Sequence, residues 1–326
     1  MKLANRFLIL VNPTSGRGRA EALLGELRAG GHEMINKLAA RLEAGEPASW
    51  PVVRTTIDDS WKLEAETQIR SGHIHSLIVI GGDGTMMSAA SFLYGLKRDG
   101  VVGATQAATP GIVALPGGRG NDFIRGLYGY SLDDGDFWPW LSKKKQWAPK
   151  FLDFGSANGK LFLNMASVGY GGEVVEKAQS RKALWSGTSM VYQVEGVLGM
   201  LEAASCRCEV KADGKVVYSG DFFGAFVGNG KANGGGLFWT PSAVIDDGKL
   251  DAIMFSKPGF LSMATSLSAI KKRKPPTFKH TTAQAVEFVF HFDKPAALEI
   301  DGEYVGRALT HEFKSLPQAL RAWIPE

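Results

Sequence analysis

The stretch Ser76–Leu96, SLIVIGGDGTMMSAASFLYGL, admits few local structures. Leu77, Ile78, Val79 and Ile80 form an apolar, β-branched run without polar alternation, which reads as a buried strand. The run stops at a double glycine, and after Thr85 apolar residues return at Met86, Ala90, Leu93 and Tyr94, the spacing of a helix. The result is strand, Gly-Gly-Asp-Gly-Thr turn, helix. Gly81, Gly82 and Gly84 leave room for a phosphate against the main chain, and Thr85 is placed to cap the helix, whose free N–H groups face the same spot. Asp83 puts a carboxylate into this anion-binding turn. It would repel a phosphate without a bridging cation, so the turn points to Mg²⁺ and phosphoryl transfer. A structural glycine turn with a capping Asp is the plainer reading, and the full five-residue string after a buried strand outweighs it.

The same pattern recurs on both sides. Arg6–Val11 is a first buried strand, followed by Asn12-Pro13-Thr14-Ser15-Gly16-Arg17-Gly18 and a helical run over Ala20–Ala29. Val52–Thr56 is a second strand with a helix over Trp61–Arg70, and Gly111–Leu115 a fourth, entering Pro116-Gly117-Gly118-Arg119-Gly120-Asn121-Asp122. Four such units in sequence predict a mainly parallel sheet with ligand loops at the carboxyl ends of its strands. Neither the P-loop nor the dinucleotide glycine fingerprint fits any of these loops. Past residue 147 strands and hairpin signals take over, among them Asn158-Gly159 and Asp213-Gly214, with helices expected only near Met190–Ala203 and Phe260–Ile270. Three final strands are expected around Ala285–Phe292, Ala297–Ile300 and Ala319–Ile324, flanking Asp301-Gly302-Glu303. The expected domains are 1–147, α/β and nucleotide-binding, and 148–326, β-rich and substrate-binding, with the strand near 319–324 a candidate to return to the first.

Length suits two domains, and the 40 glycines of the 326 residues cluster in turns rather than in repeats. A net charge of +4 is too mild to call for a nucleic-acid partner. Cys206 and Cys208 have no second pair or His cluster beside them, so no zinc site is expected, and reduced thiols fit the cytoplasm. The apolar run Phe7–Val11 is too short for a signal peptide, and none is long enough to span a bilayer. The six histidines show no ligand spacing and are expected at the surface or in turns. Trp185, Val191, Val197, Leu198 and Leu201 read as core ahead of an acyl-chain pocket. Lys271-Lys272-Arg273-Lys274 reads first as a solvated loop and second as a contact for anionic lipid headgroups.

Asn12-Pro13-x-Ser15-Gly16, Gly81–Thr85, Gly118-x-x-Asn121-Asp122-Phe123, Leu152-Asp153-Phe154-Gly155, Gly234-Gly235-Gly236 with Pro241, Asp247-Gly248-x-Leu250-Asp251 and Asp301-Gly302-Glu303 occur in that order. The set resembles the diacylglycerol kinase catalytic-domain family, close to its soluble bacterial lipid kinases of the YegS and DgkB type. The resemblance implies an NAD kinase/phosphofructokinase-like α/β domain, an antiparallel β-sandwich domain and an active-site cleft between them. It further implies ATP as phosphate donor and the hydroxyl of diacylglycerol or a related lipid as acceptor, met at a membrane surface. Family positions place nucleotide contacts at Asn12, Pro13, Thr14, Ser15, Gly16, Thr56, Gly82, Asp83, Gly84, Thr85, Met86, Met87, Ser88, Arg119 and Asn121. They place the catalytic carboxylates at Asp301 and Glu303, with Glu303 the proton acceptor, and a structural Mg²⁺ on Asp247 with the main-chain oxygens of Val244 and Lys249. A peripheral location at the inner membrane surface follows from a lipid acceptor, and a homodimer is left open.

Two departures stand out. Arg119 occupies the place of the family's threonine, exchanging a hydroxyl for a guanidinium able to fork onto phosphate. Met87-Ser88 replaces a polar pair at the start of the helix. A lipid hydroxyl needs a carboxylate to accept its proton, and in an extended segment Asp301 and Glu303 share one side, although Gly302 can bend the chain and Asp-Gly is by itself a common turn. Asp83, Asp122 and Asp153 each follow an expected strand and could converge with Glu303 into an acidic network around Mg²⁺. Glu303, then Asp301, then Asp83 are the candidate catalytic residues. A kinase for a soluble alcohol or NAD, and a non-catalytic nucleotide- or lipid-binding protein, are the alternatives.

Overall fold

The computed structural model describes residues 6–30, 32–42, 44, 46, 49–70, 74–102, 110–130, 135–181 and 204–326. The chain forms two compact units, Met1–Leu152 with Gln318–Glu326, and Asp153–Pro317.

The first unit is α/β. Its elements are β1 (Arg6–Val11), α1 (Arg19–Arg28), α2 (Glu33–Arg41), β2 (Val52–Arg54), α3 (Trp61–Arg70), β3 (Ile74–Gly81), α4 (Asp83–Arg98), β4 (Gly111–Pro116), α5 (Asp122–Tyr128) and α6 (Phe137–Leu141). The strands pair in parallel in the order β2–β1–β3–β4. Phe7–Val11 and Leu77–Ile80 are buried on both faces, which is why these strands carry no polar alternation. The chain's last strand adds to β4, also in parallel, with Arg321 opposite Gly111. Tyr128 secures it by donating to Trp323 O at 3.1 Å, and Trp323 Nε1 donates to Ser76 Oγ at 3.0 Å. Strand order reverses between β1 and β3, creating the switch point at which open α/β sheets bind ligands. The loop after β1 and the turn after β3 therefore flank one crevice.

The second unit holds the part of β5 (Trp147–Ala157) from Asp153 on, β6 (Lys160–Phe162), β7 (Met165–Gly169), α7 (Tyr170–Arg181), β8 (Cys206–Ala212), β9 (Lys215–Phe222), β10 (Gly224–Gly228), β11 (Leu250–Phe255), α8 (Phe260–Lys271), β12 (Thr281–Ala285), β13 (Glu287–Ile300) and β14 (Glu303–Pro325) up to Pro317. Its pairings are antiparallel, β12–β11–β10–β7–β13, with β13 also joined to β8 and β14. Period-two alternation divides the side chains between two cores. Ala225, Val227, Ala252 and Met254 face a β core with Phe288, Phe290 and Phe313, while Phe226, Ile253 and Phe255 face an aromatic core with Trp239, Phe278 and residues of α8. An α/β domain followed by an antiparallel β-sandwich domain is the expected class.

Several local expectations need correction. Of the three final strands expected, Ala285–Phe292 and Ala297–Ile300 fall in one long strand, β13, and Ala319–Ile324 is the end of β14, which starts at Glu303 directly after the Asp301-Gly302 turn. Helix α4 begins at Asp83 with Gly82 as its N-cap, so Thr85 lies inside the first turn and caps nothing. His311 is 1% exposed, not at the surface; its Nε2 lies 2.9 Å from Ala296 O and its Nδ1 2.9 Å from Asn158 Nδ2. The helix expected near Met190–Ala203, with Trp185, Val191, Val197, Leu198 and Leu201, lies outside the described residues. Among the described residues no helix is long and apolar enough to cross a membrane.

Candidate active site

In the first unit three loops meet by their backbones. Gly16 sits at φ +61° in the 3₁₀ turn Ser15–Arg17, and any Cβ there would collide with Gly117 O. Gly117 N donates to Gly81 O at 3.0 Å, and a Cβ on Gly118 would collide with Gly82 Cα. Side chains then lock the arrangement. Asn12 Nδ2 donates to Thr85 Oγ1 at 3.1 Å, while Asn12 Oδ1 accepts from Thr14 N and Oγ1 at 3.1 and 2.8 Å. Asn121 closes the third loop on itself through Gly118 N and O, both at 2.9 Å. Pro13, Ser15, Met87 and Ser88 are half-buried, Met86 is buried, and Thr56, after β2, is exposed with its hydroxyl 2.9 Å from Ser60 Oγ.

Asp83 occupies the first turn of α4, and its Oδ1 accepts from Phe123 N at 2.8 Å. That N–H is one of the first of α5 and has no partner within its own helix, so Asp83 caps the neighbouring helix and fastens the second loop to the third. Asp122, beside Phe123, is buried with Arg125 Nε 3.7 Å from its Oδ1. Asp83, Asp122 and Asn121 are thus brought together. Arg119 is exposed between its two glycines at the rim of the same loop.

In the second unit the acids are arranged differently. Asp301 and Gly302, at φ +46° and +87°, form a two-residue hairpin turn, the common Asp-Gly turn and not the extended segment. Asp301 takes three main-chain donors, Leu163 N at 2.7 Å on Oδ2 and Asn164 N and Met165 N at 3.0 Å each on Oδ1. Glu303, just past the turn, is exposed. Asp153 does not follow its strand but lies inside β5, buried, with Gly248 N donating to its Oδ2 at 2.7 Å. It is thereby spent on the turn that carries Asp247. In that turn Asp247 N donates to Val244 O at 3.4 Å, and Asp247 Oδ1 accepts from Lys249 N at 3.0 Å. Gln284 Nε2 reaches Asp247 Oδ2 at 3.0 Å and Asp251 Oδ2 at 3.3 Å. Among the described residues no three His, Cys, Asp or Glu side chains are grouped so as to hold a metal.

Glu299 escaped the sequence reading. It is 1% exposed; its Oε1 accepts from Asn233 Nδ2 at 3.1 Å and its Oε2 from Gly302 N at 2.8 Å. Burial pushes its carboxyl up to about 7 against those stabilising bonds, with the Asp301 charge adding to the rise. Glu299 therefore joins the glycine-rich turn at 233–236 to the Asp301-Gly302 hairpin. An acid inside the otherwise apolar strand Ala297–Ile300 was the available signal.

The diacylglycerol kinase catalytic domain model matches residues 6–136, and the YegS C-terminal NAD kinase beta sandwich-like domain model matches residues 164–324. A "probable lipid kinase YegS-like" of Pseudomonas aeruginosa (strain UCBPP-PA14) is 27% identical, over 91% of each chain. A "probable lipid kinase YegS" of Salmonella newport is 29% identical, over 82% of this chain and 81% of its own. In fold, the crystal structure of a diacylglycerol kinase from Bacillus anthracis str. Sterne superposes with a TM-score of 0.62 at 20% identity, over 100% of this chain and 98% of its own. With one model lying on the glycine loops and the other on the sandwich that carries Asp301 and Glu303, the chain belongs to the diacylglycerol kinase catalytic-domain family, in its YegS-like branch.

Proposed function

We propose that the protein is an ATP-dependent lipid kinase that phosphorylates the hydroxyl of diacylglycerol or a related lipid at a membrane surface. One observation supports this reading above the rest: three glycine loops, drawn together at the β1/β3 switch point, carry an acid at their centre. The loops present main-chain N–H groups and the start of α4 to the phosphates. Mg²⁺ keeps several waters and takes one or two carboxylates plus substrate phosphates, so the absence of a three-acid cage among the described residues fits a cation that arrives with the nucleotide. Asp83, with Oδ1 given to Phe123 N, has Oδ2 for it, and Asp122, buried beside Phe123, would act as a support. Bound there, Mg²⁺ would neutralise charge developing on the phosphates. A structural Mg²⁺ on Asp247 with the main-chain oxygens of Val244 and Lys249 belongs to the same proposal.

Glu303 accepts the proton of the acceptor hydroxyl as its oxygen bonds to the γ-phosphorus and the bond to the β-γ bridging oxygen breaks, leaving ADP. Asp301 is the positioning group: with three N–H donors on its carboxylate it fixes the hairpin that presents Glu303. Glu303→Gln tests the assignment. Transfer should fall about 10²–10⁴-fold while the dissociation constant for Mg·ATP stays within about twofold. A variant that keeps wild-type turnover would remove Glu303 from the chemistry.

A further inference from the structure

Residues 252–286 carry six Lys or Arg and no Asp or Glu, in a chain whose totals are 37 and 33. Helix α8 (Phe260–Lys271) lies at the centre of this segment. Its inner face is fixed: Met263, Ser266 and Ile270 are buried, Leu267 packs on the aromatic core, and Ser266 Oγ accepts from Thr277 N at 2.8 Å. The opposite stripe, Leu261, Ala264, Thr265, Ser268 and Lys271, recurs at helical spacing and is exposed throughout. At the helix start Phe260 and Leu261 are 54% and 76% exposed. At its end, about 16 Å away at 1.5 Å per residue, lie Lys271, Lys272, Arg273 and Lys274. Arg273 stacks on the Phe238 ring at 4.6 Å and pins the turn. Among the described residues Lys271, Lys272, Lys274 and the nearby Lys279 make no ion pair.

We infer that the outward face of α8 and the lysine turn behind it form a docking surface for an anionic lipid bilayer. The inference rests on reading the acceptor as a membrane lipid. The occupant follows from the two ends of the helix together. Three unpaired lysines call for a negatively charged partner, and an exposed Phe-Leu pair calls for a partner that also buries hydrocarbon. A nucleic-acid backbone answers only the first demand, and a second copy of this basic face answers neither charge. Between the ends the stripe is small and uncharged, so it can lie on the interface without burying an ion. Lys257, exposed and 5.4 Å from the Phe223 ring, adds a cation on the helix's entry side.

The full chain is sedimented with vesicles of phosphatidylcholine containing phosphatidylglycerol, and with phosphatidylcholine alone. Wild type should bind the mixed vesicles and weaken with salt. Two variants, Phe260→Ser/Leu261→Ser and Lys271→Glu/Lys272→Glu/Lys274→Glu, should each lose tenfold or more in partitioning. All five side chains are exposed, so thermal midpoints should not move. Turnover of a short-chain, monomeric diacylglycerol should be unchanged in both variants and that of vesicle-embedded acceptor lost. Wild type that ignores anionic vesicles would overturn the surface, as would serine variants that bind normally, or a dimer that those variants split. Predicted vesicle binding without phosphoryl transfer to any acceptor would instead uphold the surface and fail only the activity.

Discussion

The glycine loops of the first unit and the hairpin of the second are both held by main-chain groups, but in opposite senses. In the loops it is the missing side chain that matters: Gly16 and Gly118 let backbones touch, and Gly117 N bonds across to Gly81 O. In the hairpin the acids have already used the main chain, Asp301 taking three N–H groups and Glu299 a fourth. One region is shaped by side chains that are absent; the other is shaped by carboxylates that bond the main chain. The lesson is that Glu299 and Asp301 hold the geometry of the turn, while Glu303, just past it, is exposed.

The sharpest way to break this contrast is Asp83→Asn. Asn keeps an oxygen for Phe123 N, so the fold should stand, but the charge is lost, and transfer should fall about 10³-fold or more. Steady-state kinetics beside an unfolding curve decide it, and full activity would return Asp83 to a purely structural role. Asp301→Ala should act on stability. It strands three part-buried N–H groups that now share a charged acceptor, at a cost of about 3 kcal/mol or more in urea unfolding. Asp301→Asn, which tolerates the left-handed backbone, should cost less. An unmoved urea midpoint in the alanine variant would mean the three bonds hold nothing in place.

Arg119→Ala tests the rim of the third loop. If the guanidinium reaches the ATP phosphates, the apparent KM for ATP should rise about tenfold, and Arg119→Thr should lose less. Unchanged kinetics would make it a surface charge. The last effect concerns pH. Glu299 has its carboxyl raised from 4.5 to about 7, so the folded chain keeps a proton that the unfolded chain releases across that window. Stability from this group is therefore greatest below pH 4.5, declines as pH rises towards 7, and is flat above, a total of about 3 kcal/mol. Glu299→Gln should flatten that slope in unfolding midpoints taken from pH 5 to 8; an identical slope would assign the titration elsewhere.

The parallel sheet and its loops were legible because both are local. Leu77–Ile80 and Gly111–Leu115 are buried on both faces, so their composition alone marks them, and a glycine turn needs no distant partner. The hairpin was less legible. Asp-Gly announces a turn, and the turn is what forms, but nothing local says that Leu163, Asn164 and Met165 offer their N–H groups to Asp301. Asp153 was misplaced for the same reason, its partner Gly248 lying 95 residues on. Glu299 and His311 were missed because burial of a polar side chain depends on who packs over it. A strand pattern reports which face a residue takes and not which bond it finds there.

The most direct test of the kinase reading is to incubate the wild-type chain with Mg²⁺ and ATP labelled in the γ-phosphate. Diacylglycerol, phosphatidylglycerol, a sphingoid base and NAD are offered separately, and the products are resolved by chromatography. The proposed chemistry predicts label in a lipid monophosphate, with none when Asp83→Asn replaces the wild type. Label in NAD phosphate, or no labelled lipid from any acceptor while ATP is bound, would contradict it.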